Sequence, residues 1–249
     1  MNPILEFKDL SYSYHTVNGE LCALKDISFS VLPGEFVSIV GPSGCGKSTL
    51  LSLVTGLMTP QTGTIIKDTN ASIGYMLQRD NLFEWRTIYQ NILLGLEIQK
   101  KMTSENLIYV ERLIYNYGLS QFKNVHPSEL SGGMRQRAAL IRTLVLKPDI
   151  LLLDEPFSAL DYKTRLEVSD DIGRILKAEN KTAILVTHDI SEAISMGDTV
   201  IVMTSRPATI KKIIPVNVSI SERTPFKTRF APEFKEIFND VWEEMNAVE

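Results

Sequence analysis

The stretch Gly41–Thr49 constrains this chain more than any other part of its sequence. It reads GPSGCGKST and matches the phosphate-loop pattern G-x-x-x-x-G-K-[ST], with Gly41, Gly46, Lys47 and Ser48 at the fixed positions. Glycines let the backbone bend so that several N–H groups face one concavity. An anionic phosphate is the ligand that such a concavity accepts.

The residues around this loop fit the same interpretation. Phe36–Val40 has the apolar character of a buried strand, and the residues from Lys47 onward open an apolar helix. The N-terminus of that helix adds partial positive charge beside the loop. Lys47 can reach the β and γ phosphates, and the hydroxyl of Ser48 can bind Mg²⁺. We therefore predict a site for a magnesium-bound nucleotide.

The composition narrows the class of protein. The chain has 249 residues, of which 44% are hydrophobic, which suits one large domain or a core with an inserted subdomain. The net charge is −4 and no block of Lys and Arg stands out, which argues against a nucleic-acid partner. Its two cysteines have no C-x-x-C spacing, so we expect neither a disulfide framework nor a zinc site, and a reducing cytoplasm fits best.

The sequence gives no sign of membrane insertion by itself. No apolar run approaches the roughly eighteen residues that a membrane-spanning helix needs. The N-terminal residues carry charges where a signal peptide would be apolar. We expect a soluble chain whose role at a membrane comes through a partner.

The order of apolar patterns predicts an α/β fold. Residues 4–40 favour strands, residues 86–147 favour helices, and short buried strands return at 150–153 and 182–187 on either side of a helix near 162–178. The last arrangement is typical of a parallel βαβ unit. We predict a single domain over residues 1–249 in three parts: an α/β core with an antiparallel β subdomain (1–85 and 148–220), an inserted α-helical subdomain (86–147) and a C-terminal helical extension (221–249).

A second nucleotide signal is the segment Ile150–Glu155, which reads ILLLDE. A buried strand that ends in a carboxylate delivers that group to the carboxyl edge of a parallel sheet, where ligands bind. Asp154 would hold Mg²⁺ directly or through water. Glu155 follows and would orient and polarise the attacking water.

A third signal, Leu130–Gln136, precedes a strong helical run. Ser131 can cap that helix, while Gly132 and Gly133 leave its first N–H groups uncovered. This is a second anion-binding helix end, and it lies in the helical insert. A single compact monomer need not close it on its own nucleotide.

Taken together, the motifs resemble those of the ATP-binding cassette (ABC) transporter ATPases over essentially the whole chain. Their order is the phosphate loop, a glutamine, LSGGxxQ, LLLDEP, SALD and THD. The resemblance implies a P-loop NTPase (RecA-like) core and an ATPase that uses Mg²⁺ and ATP. It also implies a homodimer in the ATP-bound state, in which each signature serine binds the nucleotide of the opposite subunit.

The resemblance assigns roles residue by residue. It makes Glu155, His188 and Gln78 catalytic, and it places Gln78 at the start of a loop that senses the membrane subunit. The predicted magnesium ligands are Ser48, Gln78 and Asp154. The predicted signature residues that act in trans are Ser131, Gly132, Gly133 and Gln136. The predicted nucleotide-binding residues are Tyr14, which would stack on adenine, and Gly41, Pro42, Ser43, Gly44, Cys45, Gly46, Lys47, Ser48 and Thr49.

One further residue combines two roles. Asp161 matches the family's loop that crosses the dimer interface, and it is also placed to cap the helix that starts at Tyr162. Both interpretations can hold at once.

Several features resemble the importers of nitrate, sulfonate and taurine. The segment Asn81–Thr87 corresponds to one that commonly reads Leu-Leu-Pro-Trp in that group, with Glu84 in place of the proline. Trp85 would line the groove that receives a helix of the membrane subunit, or else pack within the helical insert. The resemblance implies separate transmembrane permease subunits, an extracytoplasmic solute-binding protein and a peripheral location on the cytoplasmic face of the membrane.

Two alternatives belong to other classes. One is an ABC ATPase that acts on DNA, ribosomes or another machine. Such proteins commonly carry two cassettes, long coiled coils or basic extensions, and we find none in this sequence. The other is a scaffold that binds nucleotide without hydrolysing it, and the presence of Lys47, Asp154, Glu155 and His188 argues against that.

Overall fold

A computed structural model describes residues 2–17 and 19–246 of the chain. The chain forms two compact units, one made of Met1–Ala71 with Ser169–Glu249 and the other of Ser72–Val168. The first unit contains the phosphate loop and His188. The second contains both acidic residues of the LLLDE segment and the serine-capped helix.

The first unit begins with a three-stranded antiparallel sheet in which the first strand is central. Its strands are β1 (Leu5–Thr16), β2 (Gly19–Val31) and β4 (Thr62–Lys67). Phe7 pairs with Phe29 across β1 and β2, and their rings stack with centroids 4.1 Å apart. Such cross-strand aromatic pairs are the contacts that stabilise an antiparallel sheet.

The first unit also contains a mixed group of strands around β3. The strands are β3 (Phe36–Val40), β7 (Thr182–Val186), β8 (Thr199–Met203) and β9 (Ile210–Pro215). Strand β3 pairs in parallel with both β7 and β8, and β9 joins β8 in antiparallel fashion. Every residue of β3 and β7 is buried, which is why these strands are mostly apolar rather than alternating.

Several helices lie wholly within the described part of the first unit. They are α1 (Lys47–Val54), α6 (Ile190–Met196), α7 (Pro225–Thr228) and α8 (Phe234–Asn246). The apolar stripe of α8 packs on the core: Val241 is fully buried among residues of β8 and α6, and Phe234 and Phe238 pack against the same cluster. The apolar stripe of α8 is therefore a packing face.

The second unit pairs two parallel strands with three helices. They are β5 (Ile73–Met76), β6 (Ile150–Asp154), α2 (Ile88–Ile98), α3 (Ser104–Asn116) and α4 (Gly132–Leu144). Short 3₁₀ turns lie at Ser120–Phe122 and Pro127–Glu129. A further helix, α5 (Tyr162–Ala178), contains residues of both units. Among the residues described, no helix has both the length and the apolar content that crossing a membrane requires.

Candidate nucleotide site

The phosphate loop runs from the end of β3 to the start of α1. The N-cap residue of α1 is Gly46, which has no side chain to cover the first N–H groups of the helix. Lys47 is buried, with 6% of its surface exposed, and its Nζ donates to the carbonyl oxygens of Gly41 at 2.8 Å and Pro42 at 3.0 Å. The loop thus combines a fixed ammonium group with a helix N-terminus, which is an arrangement that binds phosphate.

Two glycines of this loop have conformations that other residues adopt at a cost. Gly46 has φ +128°, and a Cβ atom there would lie 2.9 Å from Cδ2 of Leu24. Gly44 has φ +73°, and its carbonyl oxygen accepts a hydrogen bond from Nε of Arg206 at 3.1 Å. The sequence pattern predicts the glycines, but nothing in the sequence signals Arg206, because it follows β8 and lies far from the loop along the chain.

Tyr14 lies beside the first turn of α1. Its hydroxyl is 2.8 Å from Oγ1 of Thr49, and its ring meets that of Tyr12 edge-on at 5.1 Å. Thr49 is buried, so its hydroxyl is directed to Tyr14. Tyr14 remains 37% exposed, which leaves ring surface available at the rim of the loop.

His188 follows β7 at the same sheet edge at which the phosphate loop follows β3. Ile39 of β3 pairs with Val186 of β7, so that Gly41 and His188 each follow two residues later at the same edge of the sheet. The turn is held on both sides of His188. Thr187 donates to the carboxylate of Glu192, and Asp189 caps α6 by accepting from the N–H of Glu192 at 3.0 Å. The exposed imidazole is therefore presented from a fixed turn.

In the second unit, β5 and β6 bring several polar side chains to the same edge of the sheet. Met76 pairs with Leu153, so Gln78 and Glu155 each follow two residues later. Nε2 of Gln78 donates to Oε2 of Glu155 at 3.2 Å. Asp154 is 3% exposed, and its Oδ2 accepts from the hydroxyl of Tyr75 at 3.4 Å. The structure thus brings three sequence-predicted residues together.

The backbone at Glu155 is unusual. Its φ is +47°, in the left-handed region that a non-glycine residue enters only at a cost. The side chain of Gln136, which is 4% exposed, braces this turn: its Nε2 donates to the carbonyl oxygen of Glu155 at 3.2 Å, and its Oε1 accepts from the N–H of Ala159 at 3.1 Å. Both ends of the Gln136 amide therefore bond within their own chain, although the residue was predicted to act in trans.

The helix α4 presents an open N-terminus. Oγ of Ser131 accepts from the N–H of Met134 at 3.4 Å. Ser131 and Gly132 are exposed, and a Cβ atom on Gly132 would meet nothing within 4 Å. Gly133 is closer packed, because a Cβ atom there would lie 3.1 Å from Cδ2 of Leu160. The exposed serine and glycine leave the helix end accessible to an anion.

Asp161 caps α5. Its Oδ1 accepts from the N–H of Thr164 at 3.0 Å, and its carbonyl accepts from the N–H of Arg165 at 2.9 Å. Hydrogen bonds from the side chain and the backbone of Thr164 lower the pKa of the Asp161 carboxyl. The predicted capping role is thus present in the structure.

The segment before α2 has an exposed aromatic group. Trp85 is 74% exposed, and its ring lies 4.7 Å from that of Phe83. Buried Asn91 fixes the backbone beneath it: the N–H of Phe83 donates to Oδ1 at 2.7 Å, and Nδ2 donates to the carbonyl oxygens of Phe83 at 3.1 Å and Arg86 at 3.2 Å. The tryptophan is therefore displayed on an ordered loop rather than packed inside the second unit.

A glycine-rich loop between a buried parallel strand and a helix, together with a carboxylate at the end of another buried strand, defines a P-loop nucleotide hydrolase. The ABC transporter family model matches residues 24–158 of the chain. The chain belongs to this family and is an ABC ATPase, the ATP-binding subunit of a transporter. Its fold is that of the ABC cassettes.

Relatives of known name support this placement. The chain is 43% identical to the uncharacterized ABC transporter ATP-binding protein YtlC of Bacillus subtilis, over 98% of this chain and 96% of that protein. It is 37% identical to the nitrate import ATP-binding protein NrtD of Synechocystis, over 95% of this chain and 93% of NrtD.

A solved structure has the same fold. The dimeric ATP-binding cassette MJ0796, bound to ADP and phosphate, aligns with a TM-score of 0.76 at 30% identity, covering 86% of this chain and 99% of that one.

Proposed function

We propose that this subunit energises the import of a small solute of the nitrate, sulfonate or taurine class through separate membrane subunits. The observation that carries the proposal is similarity over most of the chain to the nitrate import ATP-binding protein NrtD of Synechocystis, at 37% identity, and to the nitrate transport protein NasD of Klebsiella oxytoca, at 36%. The exposed Trp85 and its fixed backbone supply a surface on which a helix of a permease would dock.

The first step of the mechanism is the binding of the triphosphate. Lys47 and the uncovered N–H groups at the start of α1 neutralise phosphate charge, and Tyr14 stacks on adenine. Ser48, Gln78 and Asp154 offer oxygen atoms of the kind that Mg²⁺ prefers. Among residues 2–17 and 19–246 no group of three His, Cys, Asp or Glu residues converges to hold a metal. When bound, Mg²⁺ would neutralise charge that develops on the phosphates.

Hydrolysis then depends on the turn after β6. Glu155 accepts a proton from the attacking water or polarises it, and Gln78 holds the Glu155 carboxylate through the 3.2 Å hydrogen bond. His188, presented from the turn before α6, contacts the γ-phosphate and steadies the same water. Because phosphoryl transfer requires positioning more than covalent chemistry, the fixed geometry of these turns is the main contribution of the protein.

We further propose that two copies close on ATP. Ser131 and Gly132 of one copy would bind the γ-phosphate held by the other, and Asp161 would line the crossing loop. The uncovered end of α4 supports this role because a helix N-terminus attracts anions. Gln136 is proposed as an internal brace of the Glu155 turn. Loss of the γ-phosphate removes the link between copies, so the dimer opens and moves the attached permease.

The location follows from the partners. We place the subunit on the cytoplasmic face of the membrane, attached to permease subunits and served indirectly by an extracytoplasmic binding protein.

An uptake assay in cells tests the transport class. Cells that lack the gene should lose uptake of at least one labelled solute among nitrate, an alkanesulfonate and taurine. Wild-type chain should restore uptake and Glu155→Gln should not. Unchanged uptake of all three, with the ATPase active in vitro, would refute this substrate class.

A further inference from the structure

Arg135 joins the signature helix to the segment that follows Gln78. Its Nε donates to Oδ2 of Asp80 at 2.9 Å, and its Nη2 donates to Oδ1 of Asp80 at 3.2 Å and to Oε1 of Glu84 at 2.9 Å. The planar guanidinium matches a carboxylate with two parallel hydrogen bonds, which fixes orientation as well as distance. One side chain therefore bridges two carboxylates of the same segment.

A second arginine on the same face of α4 holds the backbone of that segment. Nη1 of Arg142 donates to the carbonyl oxygen of Asn81 at 2.8 Å, and its Nη2 donates to that of Asp80 at 2.7 Å. Burial lowers the pKa of Arg142 against the raising effect of the nearby Asp80 charge. Residues 135 and 142 are two helical turns apart, so both arginines project from one side of the helix. Segment 80–84 is thus held at two points along α4.

Arg135 also belongs to the first turn of the signature helix. Its backbone N–H donates to the carbonyl oxygen of Ser131 at 3.0 Å, which closes the turn that Ser131 caps. A force on the Arg135 side chain therefore acts directly on the residue that defines the exposed helix end. The path from Glu84 to Ser131 consists of one ion pair and one backbone hydrogen bond.

Glu84 connects this path to the exposed surface. About half of its side chain is exposed, its carbonyl oxygen lies 3.2 Å from Nδ1 of His126, and the next residue is the exposed Trp85. Glu84 therefore supplies the second carboxylate of the bridge from the residue next to this exposed ring.

We propose that Arg135 is a positioning residue that couples the surface at Glu84 and Trp85 to the serine-capped end of α4. Docking of a membrane subunit at Trp85 belongs to the proposed function, on which the use of this link in transport rests. The link itself is internal to one chain. A displacement of segment 80–84 therefore shifts the helix end that is offered to the second nucleotide.

Amide hydrogen exchange on the full-length chain tests the link without any permease. Glu84→Gln keeps the side-chain length and removes the charge. We expect exchange to rise about two- to fivefold in residues 131–137 as well as in 80–86, the size expected when a partly exposed ion pair is lost. Glu111→Gln is the matched control, because it removes the exposed ion pair of Glu111 with Lys123 at 3.0 Å and should leave residues 131–137 unchanged.

The second readout is kinetic. Glu84→Gln and Glu84→Pro should lower kcat about two- to fivefold while the ATP affinity of the dilute monomer stays unchanged, since neither touches the phosphate loop. Arg135→Lys keeps the positive charge but not the planar guanidinium with its two parallel hydrogen bonds. Its kcat should therefore lie between the kcat of wild type and that of Arg135→Gln. Exchange that rises only in residues 80–86, with 131–137 as in wild type, would overturn the proposal. Neither hydrogen exchange nor kcat is measured through transport. A failure of the uptake assay would therefore leave this test of the link unaffected.

Discussion

Gln78 donates a hydrogen bond to the carboxylate of Glu155 at 3.2 Å, and the two residues reach this contact from neighbouring parallel strands. The amide and the carboxylate belong to segments 77 positions apart. Any shift of the segment after Gln78 therefore changes the surroundings of the carboxylate proposed to activate water. This relationship ties the chemistry of hydrolysis to the surface proposed to meet the permease.

The most direct test of the site is Glu155→Gln. We expect ATP hydrolysis to fall by about 10²-fold or more, a typical loss when a proton-handling carboxylate is removed. ATP binding should persist and the dimer should be trapped with ATP, as measured by turnover and size-exclusion chromatography. Glu111→Gln serves as the control. A Glu155→Gln variant with full turnover would remove Glu155 from its proposed role.

Ser131→Arg tests the action of the signature helix in trans. The bulky cation at the exposed helix end should abolish turnover, while the dilute monomer binds ATP as wild type does. Thr103→Arg is the matched control, because Thr103 caps α3 in the same way, accepting from the N–H of Asn106 at 3.3 Å. If the dilute Ser131→Arg monomer lost ATP affinity to the same extent as it lost turnover, the proposed action of Ser131 in trans would be contradicted.

Gln136→Ala tests the internal brace. The change removes the amide partner of the Glu155 carbonyl and of the Ala159 N–H, although the Glu155 carbonyl still accepts from the N–H and the hydroxyl of Ser158. The free energy of unfolding should therefore fall by about 0.5–1.5 kcal/mol, the net contribution of a typical hydrogen bond. Turnover should fall as well, because the turn at Glu155 loses its support. Urea unfolding and ATPase assays measure both effects, with exposed Gln121→Ala as the control. Normal stability with lost turnover would instead favour a role for Gln136 at the partner's nucleotide.

Gly46→Ala separates steric conflict from backbone strain. Gly46 and Gly56 both have positive φ, but a Cβ atom at Gly56 meets nothing within 4 Å, whereas one at Gly46 would lie 2.9 Å from Leu24. Both substitutions carry the left-handed backbone cost of about 1–2 kcal/mol. Only Gly46→Ala should also lower ATP affinity, by at least about tenfold (1.4 kcal/mol), as measured by titration calorimetry. Equal affinities of the two variants would argue against a close-packed loop.

The carboxyl of Asp80 should make stability depend on pH. Burial raises its pKa, but the hydrogen bonds from Arg135 and the backbone of Leu82 and the charges of Arg135 and Arg142 lower it more, so the net shift is downward. The folded state then releases this proton more readily than the unfolded state. The stabilisation is therefore present above the ordinary pKa of an aspartate and is lost as the pH falls through the lowered value.

Urea unfolding between about pH 5 and pH 3 measures how steeply the free energy of unfolding changes with pH. Asp80→Asn should flatten part of this slope, while Asp240→Asn, on the exposed side of α8, should leave it unchanged. A slope that is identical in wild type and Asp80→Asn would show that the carboxyl adds nothing to stability in this range.

The sequence predicted those parts of the molecule that depend on local patterns. The buried strands β3 and β6 are mostly apolar runs, and the loop of Gly41–Thr49 carries a fixed spacing. The predicted fold class and family were confirmed. The bonds of Arg206 to the phosphate loop and of Arg135 to Asp80 join residues distant along the chain. Neither pairing has a local signature, because the residues around an arginine in the sequence do not indicate which distant residue its side chain contacts.

Gln136 shows a second kind of limit. Its place in the signature motif predicts a residue that acts at the partner's nucleotide, and that role stays a prediction. Nothing in the motif indicates that the same side chain also bonds to the turn at 155–159 of its own chain. Motif membership identifies a segment, whereas the direction of each side chain depends on packing.

The pairing of β3 with both β7 and β8 has a practical consequence. A fragment cut at the limits of the family match, residues 24–158, would keep the phosphate loop but discard both neighbours of the strand that carries it. Two unprotected edges would then invite pairing with other chains. Such a truncated piece should aggregate rather than bind nucleotide, so biochemical work on this subunit calls for the intact polypeptide.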